Sequence, residues 1–117
     1  MTAHILVVDD DPHVRRAIQW ALEDEGFSVS TAEDGRQALD EAAASPPALV
    51  VLDITLPILD GYQVADALRA AAPNGLPILA VTGDGQAPQK AARLGAYEYV
   101  RKPFDVAVLL EAVRRGL

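Results

Sequence analysis

The chain has 117 residues, half of them hydrophobic, with a formal charge of −7 and no cysteine. That length suits one domain, residues 1–117, with a single core. The acidic balance argues against wrapping nucleic acid, and the lack of cysteine excludes disulfides, thiolate catalysis and zinc–thiolate centres. No apolar run approaches the ~18 residues of a membrane span. Met1-Thr2-Ala3-His4 lacks the basic start and apolar stretch of a signal peptide. A cytoplasmic protein with no membrane and no direct nucleic-acid partner is the simplest reading.

Ile5-Leu6-Val7-Val8 is a short apolar run ended by Asp9-Asp10-Asp11-Pro12. It reads as a buried strand followed by a helix, with Asp11 as N-cap and Pro12 in the first turn. The helix runs to about Glu25, where Gly26 stops it, with Val14, Ala17, Ile18, Ala21 and Leu22 as its apolar stripe and Trp20 off it. Phe27 to Thr31 alternates and reads as a second strand nearer an edge. Asp34-Gly35 leads into a helix from about Arg36 to Ala44, broken by Ser45-Pro46-Pro47.

Leu49-Val50-Val51-Leu52 is the third strand, and it ends in Asp53. Asp60 is placed to cap a helix from Tyr62 to Ala71, with Val64, Ala67 and Leu68 inward. Pro77 to Val81 is the fourth strand, ending at Thr82-Gly83-Asp84-Gly85; a short helix spans about Pro88 to Leu94. Tyr97 to Val100 is the fifth strand, ending at Arg101-Lys102-Pro103. Asp105 caps a last helix, Val106 to Arg115, with Val106, Leu109, Leu110 and Val113 apolar.

Strands alternating with helices through short connections argue for a doubly wound α/β fold, a parallel sheet covered on both faces in three layers. Right-handed crossovers leave few topologies. The order 2-1-3-4-5, as in flavodoxin-like (βα)5 folds, sets strands one and three side by side at the switch point, where ligands bind beyond the strand ends. That order gathers Asp9, Asp10 and Asp53, and adds Thr82 and Lys102 along the same rim.

Carboxylates converging within a few ångströms repel, so one is protonated or a cation sits among them. Mg²⁺ suits such a site, since it needs only one or two direct carboxylates and keeps waters elsewhere. Asp9 or Asp10, Asp53 and the backbone carbonyl near Thr55 are the available protein ligands. Lys102 is one of only two lysines, with Lys90. On this rim its ammonium can pair with Asp53 or with an added phosphoryl oxygen, and the Thr82 hydroxyl can bond the same group. A carboxylate nucleophile, a divalent ion, a lysine and a hydroxyl donor make a phosphoryl-transfer site. With no strong general base beside it, a long-lived phosphoaspartate is expected rather than fast hydrolysis.

The residues that carry this chemistry also carry a family likeness. Ile5-Leu6-Val7-Val8-Asp9-Asp10, Asp53-Ile54-Thr55-Leu56-Pro57 with Asp60-Gly61, Val81-Thr82-Gly83, and Tyr99-Val100-Arg101-Lys102-Pro103-Phe104 together make the chain resemble a response-regulator receiver domain of two-component phosphorelays, of the chemotaxis-regulator type. The resemblance implies that Asp53 accepts phosphoryl from a phosphohistidine on a sensor histidine kinase or histidine phosphotransfer protein. It implies Mg²⁺ held by Asp10 directly, by Asp9 largely through water, by Asp53 and by the Thr55 carbonyl. Thr82 and Lys102 would bind the phosphoryl group, and Tyr99 would turn inward as Thr82 moves, changing the surface of the fourth helix, fifth strand and fifth helix for a downstream protein. The Lys102–Pro103 bond is often cis in this family. Such a protein is no turnover enzyme: it assists its own phosphotransfer and slow autodephosphorylation, as a monomer or weak dimer.

From Thr82 to Gly95-Ala96 the chain looks about two residues shorter than the family spacing, so a short or late-starting fourth helix is expected. With no output domain after Leu117, the reading is a single-domain regulator or an excised receiver. Trp20 is read as a partly covered surface aromatic or, since the family's kinases meet the first helix, as a docking residue. His4 and His13 lack metal-ligand spacing and are read as incidental. Three competing readings fit less well. A receiver-like interaction module that works without phosphorylation would not need the acidic pair, Asp53 and Lys102. A haloacid-dehalogenase-type phosphatase expects a second Asp where Thr55 stands. A flavin-binding flavodoxin expects a Ser/Thr/Gly-rich loop where Asp9-Asp10-Asp11-Pro12 would repel a phosphate.

Overall fold

The computed structural model describes residues 2–54, 61–72, 75–83 and 87–117. Its elements run β1 (His4–Val8), α1 (Pro12–Asp24), β2 (Ser28–Ala32), α2 (Gly35–Ala44), β3 (Leu49–Asp53), α3 (Gly61–Ala70), β4 (Ile78–Thr82), α4 (Ala87–Leu94), β5 (Glu98–Arg101) and α5 (Val106–Gly116). All strand pairs are parallel and the sheet order is β2-β1-β3-β4-β5. The expected fold class and order hold.

Side-chain alternation along the strands divides the core in two. Leu6, Val8, Val50, Leu52, Ile78 and Ala80 face one way, against residues of α2, α3 and α4. Ile5, Val7, Leu49, Val51, Leu79 and Val81 face the other, against α1 and α5. Because β1, β3 and β4 are covered on both faces, they read as continuous apolar runs rather than alternating ones. Their polar end residues are then the only places where chemistry can emerge.

The helix ends follow their residue types. Asp11 accepts hydrogen bonds from the amides of His13 and Val14, and Pro12 opens α1. At the other end Gly26 takes φ 93°, and the amide of Phe27 donates to Leu22 O, closing the helix as a left-handed cap does. That bond takes the Phe27 amide away from the sheet, so β2 begins at Ser28, one residue later than its alternation suggests. Asp34 caps α2 through the Gln37 amide, and Asp105 caps α5 through the Ala107 amide. The Asp60 cap expected for α3 lies outside the described residues.

Three apolar stripes need correction. Ala17 of α1 and Val106 of α5 are exposed, because each sits at the margin of its helix beside an open hollow near Phe104. Ala67 is only half-buried, while Ala65 and Ala112 are fully buried. Alanines fit wherever a helix lies closest to the sheet, and periodicity of large side chains does not mark them. α4 is short, starting at Ala87, as the reduced spacing suggested. Among the described residues no helix is long and apolar enough to cross a membrane.

Candidate functional site

The site lies at the carboxyl ends of β1, β3, β4 and β5. Val8 pairs with Leu52, and Asp53 pairs with Val81. Register alone therefore sets Asp9 and Asp53 side by side at the end of adjacent strands, with Thr82 next to them on β4. The Lys102 amide donates to Thr82 O at 2.9 Å, which extends the β4–β5 ladder by one residue and keeps Lys102 on the same rim. The peptide between Lys102 and Pro103 is cis.

Asp9 and Asp53 are buried, at 1% and 2% exposure, while Asp10 is exposed. One carboxylate oxygen from each of Asp9, Asp10 and Asp53 lies within 4.8 Å of the others. Lys102 Nζ stands 2.9 Å from Asp9 Oδ2 and 3.4 Å from Asp53 Oδ2. Asp9 is held on several sides. Its amide donates to Ala32 O at 3.1 Å, its Oδ1 accepts from the Asp11 amide at 2.9 Å, and its carbonyl accepts from Arg15 Nη1 at 2.8 Å.

Burial raises the pKa of Asp9 above the ordinary carboxylate value, against the pull of the Asp11 amide and of Lys102, and the charge of Asp53 adds to the rise. Burial alone would lower the Lys102 ammonium, but the carboxylates of Asp9 and Asp53 outweigh it and hold the net shift upward. The lysine is thus a fixed positive charge at neutral pH. It does not saturate the site. Asp9 Oδ2 is a buried oxygen that accepts no hydrogen bond, with the Lys102 ammonium as a charge 2.9 Å away. A buried, hydrogen-bond-free carboxylate oxygen beside two more carboxylates is a donor set of hard oxygens, which fits a hard divalent cation.

Not all expected members gather here. Thr82 is fully buried at the end of β4. Tyr99 lies on β5 opposite Ala80 and is 37% exposed. Thr55 lies outside the described residues. Arg15 is the member that sequence reasoning missed. A polar residue four places after a capping Asp reads as helix surface, and only the fold of the loop shows it reaching back to Asp9.

A family model for the response regulator receiver domain matches residues 5–114. The chain belongs to the response regulator receiver family. Over 116 residues it is 43% identical to the response regulator MprA of Mycolicibacterium vanbaalenii, covering 97% of this chain and 50% of that protein. It is 40% identical to the C4-dicarboxylate transport transcriptional regulatory protein DctD of Pseudomonas aeruginosa, covering 97% of this chain and 25% of that protein. The chain therefore spans about half the length of the MprA relative. The fold superposes on the chemotaxis protein CheY4 of Vibrio cholerae with a TM-score of 0.91 and 31% identity over the whole of both chains. NtrX of Brucella abortus matches with a TM-score of 0.90 and 37% identity, over all of this chain and 27% of that one. Receiver domains act in phosphorylation-based two-component signalling, generally take their signal from sensor histidine kinases, and are generally not enzymes.

Proposed function

We propose that Asp53 of this receiver accepts a phosphoryl group from a phosphohistidine on a sensor histidine kinase or histidine phosphotransfer protein in the cytoplasm. The single observation that supports this most is the meeting of Asp9, Asp10 and Asp53 within 4.8 Å, with Lys102 against two of them. In the transfer the histidine N–P bond breaks and a bond from an Asp53 oxygen to phosphorus forms. The Lys102 ammonium then exchanges a carboxylate oxygen for a phosphoryl oxygen, and the Thr82 hydroxyl donates to another.

Asp10 and Asp53 are the residues to hold Mg²⁺ directly, Asp9 largely through water, with the Thr55 carbonyl. When bound, the ion offsets negative charge on the phosphoryl oxygens. The same residues allow slow loss of the phosphoryl group to water. Phosphorylation adds charge and acceptor oxygens at the end of β3. Thr82 moves to bond them, and Tyr99 turns into the space left behind. The surface of α4, β5 and α5 changes for a downstream protein. The apolar hollow of about 470 Å³ beside Lys102, lined by Val14, Ala17, Phe104 and Val106, suits the approach of the phosphodonor protein.

The test uses acetyl phosphate and intact-mass detection. One phosphoryl group per chain is expected, dependent on Mg²⁺ and absent from Asp53→Asn. Labelling of that variant at the parent rate would reject Asp53 as the acceptor.

A further inference from the structure

Among the described residues, the hydrogen bond from Arg15 Nη1 to Asp9 O, at 2.8 Å, is a contact to the acidic loop that the phosphoryl-transfer reading does not use. The carbonyl it holds belongs to the peptide that joins Asp9 to Asp10. A peptide is planar, so fixing this oxygen fixes the plane from which the Asp10 Cα departs. The Asp9 side chain is already held by the Asp11 amide and Lys102. Asp10 is exposed and has no comparable restraint among the bonds described above. Among the described residues the restraint on Asp10 is then the plane of that peptide, and the side chain that bonds it is Arg15.

We infer that Arg15 is a positioning residue for the cation site: by holding Asp9 O it aims the Asp10 carboxylate, and so sets the affinity for the divalent ion. The inference rests on the Mg²⁺ reading given above. Its sign separates it from simple electrostatics. A guanidinium near the site repels a cation, so loss of its charge alone would tighten binding. Loss of the positioning bond weakens it.

Only one N–H is used, and the contact is neither bidentate nor stacked. Lysine, which can offer a single donor on a flexible stem, should therefore substitute here, unlike at a forked arginine site. The experiment titrates Mg²⁺ into the parent chain, Arg15→Met and Arg15→Lys, following the amide resonances of residues 9–11 and 53. Arg15→Ala serves as a second truncation, and thermal melts of each variant establish that it is folded. The expected dissociation constant rises about tenfold in Arg15→Met, the size of effect seen when partners that orient metal ligands are removed. In Arg15→Lys it stays within about threefold of the parent. In acetyl phosphate labelling the half-saturating Mg²⁺ concentration rises in Arg15→Met and stays within about threefold of the parent in Arg15→Lys.

If folded Arg15→Met and Arg15→Ala bind Mg²⁺ as tightly as the parent, or more tightly, Arg15 positions nothing and the inference is overturned. If the lysine variant is as weak as the methionine one, single-donor positioning is overturned. A parent chain that binds no Mg²⁺ removes the cation reading, and this inference with it.

Discussion

Lys102 reaches Asp9 across the sheet: its Nζ, at the end of β5, lies 2.9 Å from an oxygen at the end of β1, with β3 and β4 between the two strands. The ammonium and a divalent cation would neutralise the same carboxylates, so they compete. Lys102→Met is expected to lower stability by roughly 1–3 kcal/mol without divalent ions, since the buried carboxylates of Asp9 and Asp53 lose the counter-charge of a partly exposed lysine. It should also bind Mg²⁺ more tightly than the parent, and Mg²⁺ should restore more of its melting temperature. Calorimetric titration of the two proteins decides the matter. Weaker Mg²⁺ binding by Lys102→Met would mean that the two cations do not share oxygens.

Tyr97 ties the start of β5 to α5, its hydroxyl donating to Ala112 O at 2.6 Å. Burial, with help from the Glu98 charge, pushes its pKa up to about 12. The folded value lies above the unfolded one of about 10. The contribution to stability is therefore full below pH ~10 and is lost as pH rises from there toward 12. Tyr97→Phe should cost about 1 kcal/mol at neutral pH through the lost bond, and its stability should fall less steeply with pH in that alkaline window. Denaturant melts at a series of pH values check both. Parallel losses in the two proteins would show that the phenol does not titrate with unfolding.

Gly116 is the last residue of α5, where Gly→Ala gains less than the ~1 kcal/mol of a helix interior. Here an added Cβ would overlap the Tyr97 ring and come within 2.6 Å of Leu49 Cδ1. Overpacking of that kind costs roughly 1–3 kcal/mol, so Gly116→Ala should lower the melting temperature. It should cost less in a Tyr97→Ala background, where the ring is gone. A rise in melting temperature for Gly116→Ala alone would contradict this packing.

The strand ends were legible because a chain that buries β1, β3 and β4 on both faces must put its polar residues at the tips. Asp9, Asp53, Thr82 and Lys102 stand out against apolar neighbours, and a parallel order of 2-1-3-4-5 leaves them one place to meet. Long cations were not legible. Arg15 and Arg69 look like helix surface, yet each turns back onto a backbone carbonyl. His4 was read as incidental, but its two ring nitrogens lie 2.9 Å from Ser28 Oγ and 2.7 Å from Ser30 Oγ, lacing β1 to the edge strand β2. Those partners are 24 and 26 residues away, and only strand register brings them together. Trp20, by contrast, is as exposed as its place off the stripe suggested, at 63%, with Arg16 over its ring.

Arg69 of α3 closes the end of α4. Its Nη1 donates to Leu94 O at 2.5 Å and its Nη2 to Gly95 O at 2.7 Å, satisfying carbonyls that a helix end leaves open. A second link joins the same helices, Arg93 lying 4.5 Å from the centre of the Tyr62 ring. Arg69→Ala should speed amide exchange across residues 91–96 and cost about 1–2 kcal/mol, with α1 unaffected. Unchanged exchange in α4 would show that the cap does not hold the helix.

The account stands on Asp53 as the phosphoryl acceptor, and locating the phosphoryl group tests it most directly. The parent chain is treated with acetyl phosphate and Mg²⁺, reduced with borohydride to convert any acyl phosphate to an alcohol, digested, and sequenced by mass spectrometry. The expected result is homoserine at position 53 and at no other aspartate. Reduction at Asp9 or Asp10 with Asp53 intact would contradict the account.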